Sequence, residues 1–199
     1  MICAALQVST SSVGCESLDD RLFRQIHDRW QRSWLDKPMA RLTAVGNAGV
    51  GIGICAGVGL FCGSKGYDAA KLALTADGGA AMITYGLKYA VNRQRPEGST
   101  DRSNSSFPSG HATGAFALAT VFSHEYPKLA IPCYAIATGI ALSRIYLGRH
   151  YPSDALAGAV IGYASARLVL HFRDKILDID ASRCCKRKKK KQPTDQKTD

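Results

Sequence analysis

Several familiar architectures are missing from this sequence. No stretch alternates apolar and polar residues as a half-buried strand does, no hairpin turn signal stands between two such stretches, and no internal repeat is present. The seven cysteines include no CxxC pair and no Cys/His ligand spacing. That argues against a zinc site and against a disulfide framework. Cys55, Cys62 and Cys133 lie in apolar stretches and read as small buried hydrophobes. Carboxylates are outnumbered, 16 Asp and Glu against 26 Lys and Arg, and they nowhere form the cluster that magnesium or calcium would need. Residues 1–17 lack the positive start of a signal peptide. A mean hydropathy of −0.10 does not by itself mark a membrane protein.

What is present is more specific. The chain of 199 residues is long enough for one domain with a real core. Much of its net charge of +10 falls in RCCKRKKKKQ, residues 183–192, where Cys184 and Cys185 are candidates for palmitoylation in a eukaryote. Leu42 to Ser64 is uncharged over 23 residues, long enough to cross a bilayer. Gly49, Gly53 and Gly57 recur along one face of it, where a second helix has room to approach. Shorter apolar runs follow at Leu72–Leu87, Gly110–Ser123, Leu129–Ser143 and Ala155–Phe172. Five helical segments with short connections predict an all-α bundle. Before it, residues 18–41 set Leu18, Leu22, Phe23, Ile26, Trp30 and Trp34 against Arg21, Arg24, Arg29 and Arg32, an amphipathic helix that lies on a membrane or caps the bundle. We expect three parts: 1–41 with this helix, the bundle over 42–175, and a basic, disordered tail over 176–199.

Three connections carry chemistry. KYAVNRQRP closes one run at Lys88, and Arg95-Pro96 stops the helix. FPSGH turns through Ser109 and Gly110 into the next, with Ser109 as a helix cap, His111 in the first turn and free N–H groups that suit an anion. SRIYLGRHYPSDALAG brings Arg144, His150 and Asp154, with Pro152 in a first helical turn. In an up-and-down bundle all three meet at one end. The connections Gly63–Asp68 and His124–Lys128 lie at the other end and carry no comparable set. Lys88, Arg95 and Arg144 suit an anion with two or three charged oxygens. Asp154 is expected to accept the Nδ1 proton of His150 and leave Nε2 free to attack phosphorus, while His111 protonates the leaving oxygen. No metal or other cofactor is needed where fixed cations supply the charge. Arg93 and Arg149 read as rim charges, Asp77 as a packed or pore-facing polar residue, and 97–106 as a mobile polar loop.

Lys88-x6-Arg95-Pro96, Pro108-Ser109-Gly110-His111 and Ser143-Arg144-x5-His150-x3-Asp154 resemble, in order, the three signature motifs of the type 2 phosphatidic acid phosphatase superfamily. The motifs run from Lys88 to Asp154, and the helical pattern extends the likeness from about Leu42 to Phe172. The resemblance implies a phosphohistidine intermediate on His150, phosphate held by Lys88, Arg95, Ser109, Gly110 and Arg144, and His111 as the acid. It also implies an integral membrane protein, a bundle of five or six mostly transmembrane helices whose site faces away from the cytoplasm, with the basic tail inside. The expected substrate is a lipid phosphate or polyprenyl diphosphate, and nucleic acid is not an expected partner. A soluble acid phosphatase and a vanadium haloperoxidase share the signature and are the alternatives; a non-enzymatic scaffold would show a broken one.

Overall fold

A computed structural model describes residues 17–98 and 104–178. The expectations for residues 1–16 and for the tail beyond 178, Cys184 and Cys185 included, fall outside the described residues. The chain forms α1 (Leu18–Trp30), α2 (Ser33–Val45), α3 (Ala48–Phe61), α4 (Gly63–Val91), α5 (Gly110–Glu125), α6 (Ala130–Tyr146) and α7 (Pro152–His171), with a 3₁₀ turn at Pro127–Leu129 leading into α6. No strand occurs among the described residues.

Two expected elements are broken. The amphipathic stretch 18–41 contains α1 and most of α2, separated at Gln31 and Arg32. Ser17 caps α1 by accepting from the Asp20 N–H at 3.1 Å, and Asp19 and Asp20 complement the dipole at that end. The uncharged stretch from Leu42 is not one rod: α2 and α3 meet at a 63° bend. Gly46 ends α2, and Asn47 adopts an extended conformation ahead of α3. The bend also needs glycine for space. A Cβ at Gly46 would stand 2.5 Å from Ile140 Cγ2 and 3.2 Å from His111 Cδ2.

The long helix α4 is central. Ala69, Leu72, Ala73 and Ala76 are buried with Cys55, Val121, Phe122 and Ala166 in one core cluster. Small side chains let neighbouring helices approach this closely. The tightest approach is α5 against α7: a Cβ at Gly158 would lie 2.5 Å from the Ser109 carbonyl oxygen, and one at Gly162 only 2.1 Å from that of Thr113. By contrast, nothing lies within 4 Å of a Cβ at Gly49, Gly53 or Gly57, so the expected close-packing face of α3 is open. The opposite face makes the contact, with Gly59 against Ala70 and Gly51 against Leu118. Of the cysteines, Cys55 is buried, Cys133 is half-buried and Cys62 is exposed at the α3–α4 corner.

The outer surface is apolar where water would disfavour it. Leu60, Phe61, Met82, Ile131, Leu156 and Leu168 are all largely exposed. Pro127–Tyr146 and Pro152–His171 are long and apolar enough to cross a membrane, and the α2–α3 pair makes a third span if counted as one. These features describe a membrane protein.

The end of α4, the start of α5, the end of α6 and the start of α7 share one end of the bundle. At the other end charge also gathers. Lys65, Asp68, His124, Glu125 and Arg173 line one cleft, and Arg173 Nε donates to Glu125 at 3.0 Å.

Candidate active site

Each connection is held by its own backbone. After α4, Asn92 takes a left-handed conformation (φ 47°) and returns its N–H to the Lys88 carbonyl. Lys88 is buried, and its Nζ donates to the Ser105 carbonyl. Arg95, also buried, donates from Nε to the Asn104 carbonyl at 2.7 Å and lies 3.6 Å from Glu97. Glu97 in turn pairs with Arg149 at 2.6 Å, which places Arg149 on the rim.

At the start of α5, Ser109 occupies the cap position, but its hydroxyl caps nothing. Its N–H donates to the Asp154 carbonyl at 3.0 Å, which ties the second motif to the third. Ser109 Oγ is buried without a partner, and so is Arg144 Nε. The other end of the Arg144 guanidinium donates from Nη1 to Thr43 Oγ1 at 2.9 Å. The turn after α6 passes through Gly148 at φ 69°, where a side chain would also meet the His27 ring at 3.0 Å. The Arg144 carbonyl then receives the N–H groups of Arg149 and His150.

His150 is 2% exposed. Its Nδ1 lies 2.7 Å from the Ser106 carbonyl. A carbonyl only accepts, so Nδ1 carries the proton and Nε2 keeps its lone pair. Burial, then the charges of Arg144, Arg95 and Lys88, push His150 down to about 2, against a small opposing effect of the Ser106 bond. The ring is neutral near pH 7. The same three cations act on His111, so both rings face one cationic centre.

Asp154 does not do what its spacing predicts. Its Oδ2 stands 3.9 Å from His150 Nδ1, beyond hydrogen-bond range. The first turn of α7 aims the carboxylate back over its own N-terminus, where nearer donors take it. Oδ2 accepts from the Tyr151 N–H at 2.9 Å and from Ser106 Oγ at 2.5 Å, and Oδ1 accepts from Arg93 Nη1 at 2.7 Å. Asp154 therefore grips Ser106, and the Ser106 carbonyl grips His150.

This reassigns residues read as bland. Arg93 is not a rim charge: it stacks on the Tyr151 ring, with 4.1 Å from Cζ to the centroid, and bridges Asp154 to Asp19 of α1 at 2.6 Å. Asp19 also accepts from the Ser153 N–H at 2.9 Å and from Ser153 Oγ at 2.6 Å. Burial alone would raise the Asp19 carboxyl, but these bonds from Ser153 and Arg93 outweigh it and hold it below its usual range. Ser105 and Ser106, expected in a mobile loop, are buried and bonded. The Arg-x-Arg spacing of 93 and 95 was a usable signal for Arg93. Nothing local points from Asp19 to Ser153, 134 positions away.

Below Lys88 and His111 lies a cavity of about 270 Å³ between the α2–α3 bend, α4 and α5, with Asn47, Asp77 and Tyr85 in its walls.

Fold and site together define a class: a helical membrane bundle with two histidines facing three buried cations at one end. The sequence model of the PAP2 superfamily matches residues 69–178, more than half the chain, and the protein belongs to that superfamily. Lipid A 1-phosphatase of Porphyromonas gingivalis is 38% identical over 99 residues, covering 48% of this chain and 21% of that protein. Phosphatidylglycerophosphatase B of Bacillus subtilis is 29% identical over 161 residues, covering 73% and 79%. Among solved structures, Aquifex aeolicus LpxE is similar with a TM-score of 0.69 at 28% identity, over 80% of this chain and 98% of that one. The chain spans only 21% to 38% of the length of the lipid A 1-phosphatases it matches.

Proposed function

We propose that this protein is a metal-independent phosphatase that hydrolyses a lipid phosphate or diphosphate through a phosphohistidine intermediate. The observation that carries the reading is an imbalance of buried charge. Lys88, Arg95 and Arg144 are each at most 9% exposed, yet Glu97 at 3.6 Å from Arg95 is the one carboxylate ion-paired to any of them among the described residues. Asp154 is engaged by Arg93. Burying cations without counter-charge is costly, and a phosphate dianion relieves it. The unpartnered Arg144 Nε and Ser109 Oγ supply two more donors. The relatives' names, all lipid phosphatases, support the substrate class.

The chemistry follows from the proton positions. With Nδ1–H held by the Ser106 carbonyl, Nε2 of His150 attacks phosphorus. The P–Nε2 bond forms as the bond to the leaving oxygen breaks, and His111, protonated once the bound phosphate dianion offsets the neighbouring cations, gives that oxygen a proton. His111 then takes a proton from water, which attacks the phosphohistidine and releases inorganic phosphate. The cations stabilise the charge on the equatorial oxygens throughout. Lys88, Arg95, Ser109, Gly110 and Arg144 are the phosphate ligands in this scheme. Asp154 positions His150 through Ser106. The site faces away from the cytoplasm, with the basic tail inside.

The test is phosphate release by the purified protein from phosphatidic acid, phosphatidylglycerophosphate and undecaprenyl diphosphate, with soluble phosphate esters as controls. Release from lipids should persist in EDTA. His150→Ala should keep the fold and lose turnover along with the acid-labile phosphoenzyme. Loss on chelation with rescue by magnesium, or a phosphoenzyme that survives His150→Ala, would overturn the mechanism.

A further inference from the structure

Asp77 has no part in this chemistry, yet it is a half-buried carboxylate deep in the bundle. Among the described residues it has no hydrogen-bond or ion-pair partner. An unpaired carboxylate in a cavity wall is open to a ligand that enters there. Asp77 lines the same cavity as Lys88 and His111. It presses on α5 at Gly114, where a Cβ would come within 2.9 Å of its Oδ1. Gly114 is three residues beyond His111, about one helical turn further from the site. The Asp77 carboxylate thus sits one turn below the His111 ring, on the cavity side.

This location bears on which lipid is cleaved. If His111 protonates the leaving oxygen, the leaving group extends from His111 into the cavity. A carboxylate there accepts hydrogen bonds from hydroxyl groups and repels a second phosphate bonded directly to the leaving oxygen. Asn47 and Tyr85, in the same walls, add polar groups that bind a hydroxyl. Resting on the phosphatase reading above, we infer that Asp77 is a specificity-determining residue that selects a leaving alcohol bearing a free hydroxyl near the cleaved ester, of glycerol or sugar type. A bare diacylglycerol leaves the carboxylate without a donor. A polyprenyl phosphate leaving group puts a like charge directly at the cleaved bond, whereas the diester phosphate of phosphatidylglycerophosphate lies beyond its glycerol. A site built around a buried hydrogen-bonding group discriminates strongly against substrates that lack the partner.

The experiment compares kcat/KM of the full chain and its Asp77→Ala and Asp77→Asn variants in mixed micelles. The substrates are phosphatidylglycerophosphate, whose leaving glycerol carries a hydroxyl, phosphatidic acid, whose leaving group carries none, and undecaprenyl diphosphate. The unaltered protein should prefer phosphatidylglycerophosphate. Asp77→Ala should lower kcat/KM for it by about tenfold or more, the scale of one charged hydrogen bond, and leave phosphatidic acid nearly unchanged. Asp77→Asn keeps an acceptor and the side-chain volume. It should lose less on the hydroxylated lipid while raising kcat/KM for the diphosphate. It also keeps the test decisive should Asp77→Ala misfold. An equal change on all three substrates in the folded variant, or no change on any, would overturn the inference and leave the phosphatase reading intact. Absence of turnover by the unaltered protein on every lipid would instead remove the reading beneath it.

Discussion

Asp154 shows how a single carboxylate can act at a distance. Its acceptor sites are occupied by Arg93, Ser106 and the Tyr151 N–H, and its backbone carbonyl holds the Ser109 N–H. His150 is oriented at second hand, through the Ser106 carbonyl. Removing Arg93 would free Asp154 to turn, and Ser106 with it. We expect Arg93→Ala to lower kcat by about a hundredfold, the effect of a displacement on the ångström scale at a reacting atom, with KM nearly unchanged because Lys88, Arg95 and Arg144 remain. Asp19→Ala, one bond further out, should do the same more weakly. Steady-state kinetics on one lipid substrate decides this: a raised KM at normal kcat would make Arg93 a phosphate ligand instead. That Lys88, Arg95, His111, Arg144 and His150 gather at one end was legible in the sequence, because each lies in or beside one of three turns. The Asp154 contacts were not, because i+4 spacing gives proximity to His150 but not the direction of the carboxylate.

At the scale of elements, α5 against α7 sets the distance between the second and third motifs. The neighbours a Cβ would meet at Gly162 are backbone, the Thr113 carbonyl at 2.1 Å and the Ala117 nitrogen at 2.9 Å, and neither can rotate aside. Gly162→Ala should therefore push the helices apart and destabilise the protein by about 1–3 kcal/mol or more, as overpacking does. Gly57→Ala, with nothing within 4 Å, should be neutral or slightly stabilising. Thermal unfolding of both variants in one detergent is the check, and equal shifts would refute the packing argument. Helical class and the order of the apolar runs could be read from composition and periodicity. The bend at Gly46 could not, since an uncharged run looks alike whether straight or broken. Nor could the working face of α3, because glycine marks both Gly49, Gly53 and Gly57 and the buried Gly51.

For the whole molecule, one neutral histidine in a cationic centre links stability to pH. The unfolded imidazole takes up a proton below its ordinary value of about 6.5. The native His150 is pushed down to about 2 and does not. The unfolded state thus binds more protons below that point, and stability should fall as pH drops from about 6.5, by up to about 1.4 kcal/mol per pH unit from this group. His150→Gln should lose less between pH 7 and pH 5, as read from unfolding midpoints; parallel losses would refute the assignment. The same site is assembled from both ends of the described chain, since Asp19 of α1 bonds Ser153 at the head of α7. That span has a meaning for biosynthesis. A ribosome delivers Lys88, Arg95 and His111 well before His150, and no order of helix insertion can complete the centre until α7 arrives. In the proposed chemistry, a nascent chain threading into a membrane full of phospholipid esters would be unable to cleave any of them. Hydrolysis would become possible only when α7 closes against α1.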